Sequence, residues 1–200
     1  MAAPAKLARE AVLDAACELF AREGAGAFSL RRVAAALDVT PMALYRYVAN
    51  KEELLAWVLQ RGFEEFEAYL ARSAEGETGL DRLRLATEGF FDFALERGAY
   101  FELMFLGGTL PGEPARRASV RAVAEPTFVL LRDCVRSAVD ASEVPPLDAH
   151  ATAVWLLAEA TGMVALHRSG LFGWTRDELR QRAESGLAAV LAGATGRGAR

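Results

Sequence analysis

Residues 29–55 read SLRRVAAALDVTPMALYRYVANKEELL, and the way this stretch folds determines what the rest of the chain is for. Ser29 can accept a hydrogen bond from an exposed backbone N–H, so a short helix begins there and buries Leu30, Val33, Ala34 and Leu37 on one face. Arg31 then points outward. Asp38 and Val39 make a corner, after which Thr40 stands at the cap of a second helix with Pro41 at its first position, where a missing N–H costs nothing. At 100° per residue Pro41, Leu44 and Val48 turn inward, while Met42 and Arg46 face away, flanked by Ala43 and Tyr45. So short a helix has too little buried surface to exist for its own stability. Asn50 caps a third helix with Glu53 at the reciprocal capping-box position, which puts Lys51 at a helix N-terminus suited to a phosphate. Two helices joined by a tight corner are how a protein places a helix in a DNA groove.

These residues also carry a resemblance. Leu44-Tyr45, Tyr47 one residue further, Val48 next to it, Lys51 three on and Leu54 three beyond that follow a pattern found in the tetracycline-repressor (TetR) family of bacterial regulators. The likeness extends from Leu7 to about Leu59. It implies a homodimeric repressor released from DNA by a small ligand. It further implies base contacts from Arg31, Met42, Ala43 and Arg46 and phosphate contacts from Tyr45 and Lys51, with Thr40 and Tyr47 completing the DNA-facing set. One position departs from the pattern: the family usually has Gly at the corner, where this chain has Asp38. Asp tolerates the left-handed conformation better than most residues, and its carboxylate close to DNA weakens binding.

Composition agrees with a globular protein, 52% hydrophobic and 25% charged over 200 residues. The net charge of −4 argues against a nucleic-acid partner until the chain is divided. Residues 1–51 hold seven Lys/Arg against five Asp/Glu, net +2, and residues 52–200 hold sixteen against twenty-two, net −6. The basic end is the helix-turn-helix end, and two copies are needed to gather enough positive charge on one duplex.

Around the head, Leu7, Ala11, Val12, Ala15, Leu19 and Phe20 repeat at three and four residues and predict a first amphipathic helix that Gly24 ends. Lys6 and Arg9 at its start read either as a brush against a DNA backbone or as a solvated helix start. From Glu52 to about Arg72 a long helix carries Leu55, Val58, Leu59, Phe63, Phe66 and Leu70 along one side, joining the head to the C-terminal two thirds of the chain. Ala74 to Gly79 is a polar break and the best linker candidate. Beyond it, helices are predicted over Leu80–Leu95, Ala115–Asp140 kinked or divided near Glu125 by Pro126, Leu147–Ser169 and Thr175–Leu191, with a glycine- and proline-rich loop over Gly107–Pro114. Thr175 and Glu178 form a capping box, and Trp174 can staple over Leu179. The expected fold is all-α: a three-helix head over 1–51, a connecting lever helix over 52–73, and an effector-binding and dimerisation bundle over 74–200.

The small residues Ala149, Ala153, Ala160 and Gly162, with Ala183, Gly186 and Ala189, mark the last two helices as the ones placed to pack against a second copy. Tyr100 to Phe172 is similar to the ligand-binding half of a TetR subgroup bearing a Trp-x-x-x-His-Gly signature. Gly162 fits it, whereas Thr161 stands at the His position, Leu157 at the Trp position and Trp155 two residues away. Phe66, Phe90, Phe93, Tyr100, Phe101, Met104, Phe105, Phe128, Trp155 and Met163 form an aromatic and methionine-rich set that reads either as plain core or as the lining of an apolar pocket. Glu159 and His167, with Thr161, are the polar groups suited to orient a ligand there. Glu159 fits equally at a dimer seam.

Catalytic patterns are missing. His150 and His167 lie about 25 Å apart on one helix at 1.5 Å per residue. Cys17 and Cys134 lack metal-ligand spacing and read as packed, reduced thiols, and neither a phosphate-binding glycine loop nor a nucleophile elbow occurs. No cofactor is called for. The apolar run Ala153–Leu166 is interrupted by Glu159 and is shorter than the roughly 20 residues a bilayer crossing requires, so a cytoplasmic location is expected. The reading is a DNA-binding repressor that recognises a palindromic operator as a homodimer. Its rivals are an activator or ligand-free regulator of the same fold, and a small-molecule-binding or scaffolding dimer that has lost DNA binding.

Overall fold

The structure, a computed structural model, describes residues 8–106 and 114–193, with the backbone alone for 114–120 and 193. Expectations for Lys6, Leu7 and the loop over 107–113 lie outside the described residues. Within them the chain is helical and holds no strand: α1 (Arg9–Ala27), α2 (Leu30–Ala36), α3 (Pro41–Leu44), α4 (Lys51–Leu70), a 3-10 turn (Ala71–Glu75), α5 (Gly79–Glu96), α6 (Gly98–Phe101), a π turn (Glu102–Leu106), α7 (Pro114–Asp140), α8 (Ala149–Arg168) and α9 (Arg176–Gly193). Gly24 interrupts α1 with φ 69° and ψ −174°, a conformation open to glycine, although helix resumes as far as Ala27. Pro126 does not divide α7, which continues through it.

Contacts group the chain into two interleaved units, Met1–Phe63 with Arg97–Arg121, and Glu64–Glu96 with Ala122–Arg200. The sequence blocks 1–51, 52–73 and 74–200 are consecutive; the units are not.

In the first unit Val12, Ala16, Leu19, Phe20, Phe28, Val33, Ala34, Leu44, Val48, Leu54, Val58 and Leu59 are all buried. The unexpected members are Tyr100 and Phe101 of α6, also buried, with the Tyr100 ring 5.7 Å from that of Phe20. Gly62 of α4 permits this, since a Cβ there would stand 2.8 Å from Tyr100 Cδ1. Polar ties add to the packing of α1 on α4: Arg61 pairs with Glu10 at 2.8 Å, and the Arg9 guanidinium lies 4.2 Å over the Trp57 ring. Arg9 thus has an aromatic partner within the unit while remaining exposed.

In the second unit Leu83, Cys134, Val135, Leu156, Leu187 and Leu191 form the core. The expected linker is a packed corner. Gly76 and Gly79 are buried, and a Cβ on Gly79 would come within 2.3 Å of the Ala138 nitrogen. Glu143 accepts hydrogen bonds from Gly79 N–H at 3.2 Å and Leu80 N–H at 2.6 Å, and Asp81 N–H donates to Thr78 Oγ1 at 3.0 Å, so the start of α5 is fully capped. The start of α9 is capped as expected: Thr175 N–H donates to Glu178 at 2.8 Å and Glu178 N–H to Thr175 Oγ1 at 3.2 Å. Trp174 stacks on Phe172, with ring centroids 4.7 Å apart, under the Arg182 guanidinium.

Candidate DNA interface and effector cluster

Ser29 caps α2, its Oγ accepting from Arg32 N–H at 3.4 Å. The Arg32 guanidinium is drawn back onto Glu23, whereas Arg31 is exposed with no partner among the described residues. Asp38 makes the corner at φ 53°, the left-handed conformation its position demands. Asp38 N–H donates to Ala35 O and Val39 N–H to Ala34 O, which closes the turn.

The second helix is shorter than its pattern suggests. α3 is one turn, Pro41–Leu44, and a further turn carries the chain to Tyr47. Thr40 occupies the cap position but makes no side-chain cap bond, and Pro41 is exposed rather than inward. With one turn of helix only Leu44 reaches the core, at 0% exposure, and Val48 secures the far end at 2%. Between these anchors Met42 is 74% and Tyr45 53% exposed, Arg46 is exposed, and Ala43 and Tyr47 are half-buried.

Two more donors meet this surface at the start of α4. Asn50 Oδ1 accepts from Glu53 N–H at 2.9 Å, and Glu53 Oε2 accepts from Ala49 N–H at 2.7 Å. The box therefore closes on Ala49 rather than on Asn50 itself, and it leaves the N–H groups of Lys51 and Glu52 at the open end. A helix N-terminus with a lysine at its first position suits a phosphate oxygen. On this surface Arg31, Arg46 and Lys51 carry positive charge, Met42 and Ala43 present apolar groups, and Tyr45 a hydroxyl.

The residues expected to hold an effector are dispersed. Tyr100, Phe101, Met104 and Phe105 fall in the first unit, where Phe101 and Phe105 lie 5.3 Å apart, and the others fall in the second. Phe66, Phe90 and Phe93 are buried against one another at 4.9–5.7 Å in the seam between α4 and α5, with Tyr69 alongside. Phe128 meets His150 edge-on at 5.2 Å. Trp155 corrects the expectation of an inward ring, for it is 61% exposed. Ala153, Leu156, Ala160 and Val164 define the covered face of α8, and Trp155 lies about 140° from Ala160 around the helix.

Glu159, Met163 and His167 follow one stripe of α8 at four-residue steps, all half-buried. The Glu159 carboxylate rests over Gly186 of α9, where an added Cβ would overlap it, and burial pushes its carboxyl above the usual range. His167 Nδ1 is buried without a hydrogen-bond partner among the described residues. A buried nitrogen left unpaired is costly, which makes it a candidate for pairing with a bound molecule. A cleft of about 250 Å³ between α5 and α9 is rimmed by Arg72, Arg84, Asp92 and Arg180; it is small and charged, unlike an apolar ligand site. Among the described residues no cluster of His, Cys, Asp and Glu suits a metal ion.

Residues 12–58 match the family of bacterial regulatory proteins described as tetR, and residues 83–190 match the tetracyclin repressor-like C-terminal domain. An uncharacterized HTH-type transcriptional regulator of Mycobacterium tuberculosis is 28% identical over 134 residues, 66% of this chain and 60% of that protein. The HTH-type transcriptional activator FasR of Mycolicibacterium smegmatis is 30% identical over 118 residues, 58% of this chain and 53% of FasR. The chain thus spans little more than half the length of these curated relatives. The crystal structure of FadR from Bacillus subtilis, in complex with stearoyl-CoA, has the same fold at a TM-score of 0.74 and 16% identity, over 93% of this chain and 99% of FadR.

Proposed function

Because the chain belongs to the tetR family of bacterial regulatory proteins, whose members carry a helix-turn-helix DNA-binding head, we propose that it is a homodimeric transcriptional repressor released from a palindromic operator by a small apolar effector. The observation that carries this reading is the exposed set Met42, Tyr45 and Arg46 on a helix held by only Leu44 and Val48. Side chains so exposed on so small an element have no role in holding the fold together. In a dimer two such heads enter successive major grooves about 34–36 Å apart.

The dimer is argued from α8. By length and composition it is apolar enough to cross a bilayer, yet only 28% of its apolar stretch is buried within the described residues. Val154, Trp155 and Leu166 stand on its open side, and Leu171 and Phe172 follow in the loop before α9. With Trp155 at 61% and Leu171 at 72% exposure, these five offer on the order of 500 Å², a large part of the roughly 800 Å² per partner that a stable interface buries. A second copy of α8 and α9 covers this surface, and a protein so covered is at home in the cytoplasm.

The effector is an elongated apolar molecule of the acyl-chain class, an assignment supported by the rings of Phe66, Phe90 and Phe93 beside α4 and by the ligand of the similarly folded FadR. Displacing those rings tilts α4 and spoils the groove spacing. Selection from random duplexes on the purified protein tests the DNA reading. A palindromic consensus bound as two protomers is the expected result, and recovery of no sequence preference overturns it. FasR is an activator, and a promoter-fused reporter with and without the protein decides the direction of regulation.

A further inference from the structure

The last turn of α4 is seated on α5 along Gly89, Asp92 and Glu96, which share one face at spacings of three and four residues. The backbones nearly touch at Gly89, where a Cβ would stand 2.5 Å from the Tyr69 carbonyl oxygen. Tyr69 O–H donates to Glu96 at 2.6 Å. Arg72, in the 3-10 turn that prolongs α4, donates to Asp92 Oδ2 at 3.4 Å, and the other oxygen of Asp92 accepts from Arg180 of α9 at 2.6 Å.

Asp92 is therefore one carboxylate shared by three elements: the turn that ends α4, α5 itself, and α9. Its own position is firmly held. Phe91 and Phe93 on either side are 1% and 0% exposed, so α5 cannot rotate to release it without moving two core rings. Its side chain is 19% exposed, so the carboxylate common to both ion pairs is largely shielded, while the Arg72 and Arg180 side chains stand about half exposed.

We propose that Asp92 is a positioning residue for DNA recognition, which by holding Arg72 and Arg180 together sets the direction of α4 relative to α9 and hence the half-site spacing that the dimer accepts. The proposal rests on the homodimer and palindromic site proposed for this chain. The leverage follows from length. α4 has 20 residues and is about 30 Å long, so a tilt of about 10° at one end displaces the other by about 5 Å. One inserted base pair moves a half-site by about 3.4 Å and turns it by about 35°. A clamp that loosens by that angle makes neighbouring spacings equally acceptable. Because α9 belongs to the surface assigned to the second copy, the clamp also refers the lever to the dimer rather than to one protomer.

The test uses the full chain and the operator recovered by selection, with duplexes of native spacing, one base pair longer, one shorter, and a single half-site. Asp92→Asn removes the shared charge at constant shape. Arg72→Gln, at a side chain 51% exposed, severs only the arm to α4 and does not threaten folding. The wild type is expected to lose tenfold or more in affinity when the spacing changes by one base pair. Both variants are expected to lose threefold or less, with affinity for the isolated half-site unchanged within twofold. Variants that discriminate spacing as sharply as the wild type overturn the assignment of Asp92 alone. A wild type that binds a single half-site as well as a pair overturns the homodimer reading, and the assignment with it.

Discussion

Replacing Gly89 by alanine separates two effects of opposite sign at the α4–α5 seam. Alanine inside a helix is favoured over glycine by about 0.8–1.0 kcal/mol, and if the site were open the protein would gain that amount. It is not open. The new methyl would stand 2.5 Å from the Tyr69 carbonyl oxygen and 3.0 Å from its carbon, against ordinary contacts of 3.4 Å or more. Both neighbours are backbone, so no rotamer change relieves the overlap, and the helices must part by close to an ångström along a seam filled by Phe66, Tyr69, Phe90 and Phe93. With backbone on both sides the overpacking falls in the upper part of the usual range, roughly 2–3 kcal/mol, which exceeds the propensity gain and leaves a net loss of about 1–2 kcal/mol. For a chain of this size that lowers Tm by about 3–6 °C. Urea and thermal unfolding at one fixed protein concentration measure it, with Gly26→Ala as the control, since a Cβ at Gly26 meets nothing within 4 Å. A Gly89→Ala protein as stable as the wild type, or more so, would show that α4 and α5 do not approach one another as described.

Four further outcomes are expected. Arg46→Ala weakens operator binding by ~1–3 kcal/mol and relaxes sequence choice, whereas Lys51→Ala weakens all duplexes alike and lowers the salt slope by about one; equal loss on specific and random DNA for Arg46→Ala removes it from base reading. Glu159 titrates above the usual carboxylate range because it is desolvated, so the folded protein takes up that proton more readily than the unfolded chain and loses stability as pH rises through the raised value. Glu159→Gln is therefore more stable than the wild type at pH 7.5, with the difference closing toward pH 4, and a pH-independent difference in Tm contradicts this. Thr175→Ala destabilises by about 0.5–2 kcal/mol through loss of the α9 cap. The hydrogen bonds from Thr175 hold the Glu178 carboxyl below its ordinary value, so the contribution of the box is present above about pH 4.3, the unfolded value, and fades as pH falls through the lowered one. Cys134 is buried and its thiol pushed up by desolvation, so iodoacetamide modifies it only as the protein unfolds; rapid labelling in native buffer would place the thiol at the surface.

Local chemistry was readable where caps and corners are set by neighbours in sequence. Ser29, Asn50 with Glu53, Asp38 at φ 53° and Thr175 with Glu178 each form the local structure that their residue types suggest. Periodicity found the anchors Val33, Ala34, Leu44 and Val48, because an inward stripe is a property of the helix that bears it. It turned Pro41 inward, since it assumed two turns of helix where one forms, while Thr40 holds the cap position without the side-chain bond expected of it. Contacts between distant residues left no local trace. The pairing of Phe20 with Tyr100 and the close approach of Gly89 to Tyr69 depend on which helices meet, and hydrophobicity alone gives every aromatic ring the same claim on the core. Trp155 shows the same limit from the other side, a large ring on the open face of α8 that composition could not tell from an inward one.

The meeting of Tyr100 with Phe20 bears on any attempt to exchange heads between regulators. A cut after Phe63 keeps every residue of the helix-turn-helix yet discards the ring that closes over Phe20, so a fragment made this way starts life with a hole in its centre. Chimeras built from this chain should transplant two pieces, residues 1–63 together with the short segment from Arg97 to Leu106, or redesign Phe20 and Gly62 for a smaller core that closes without it.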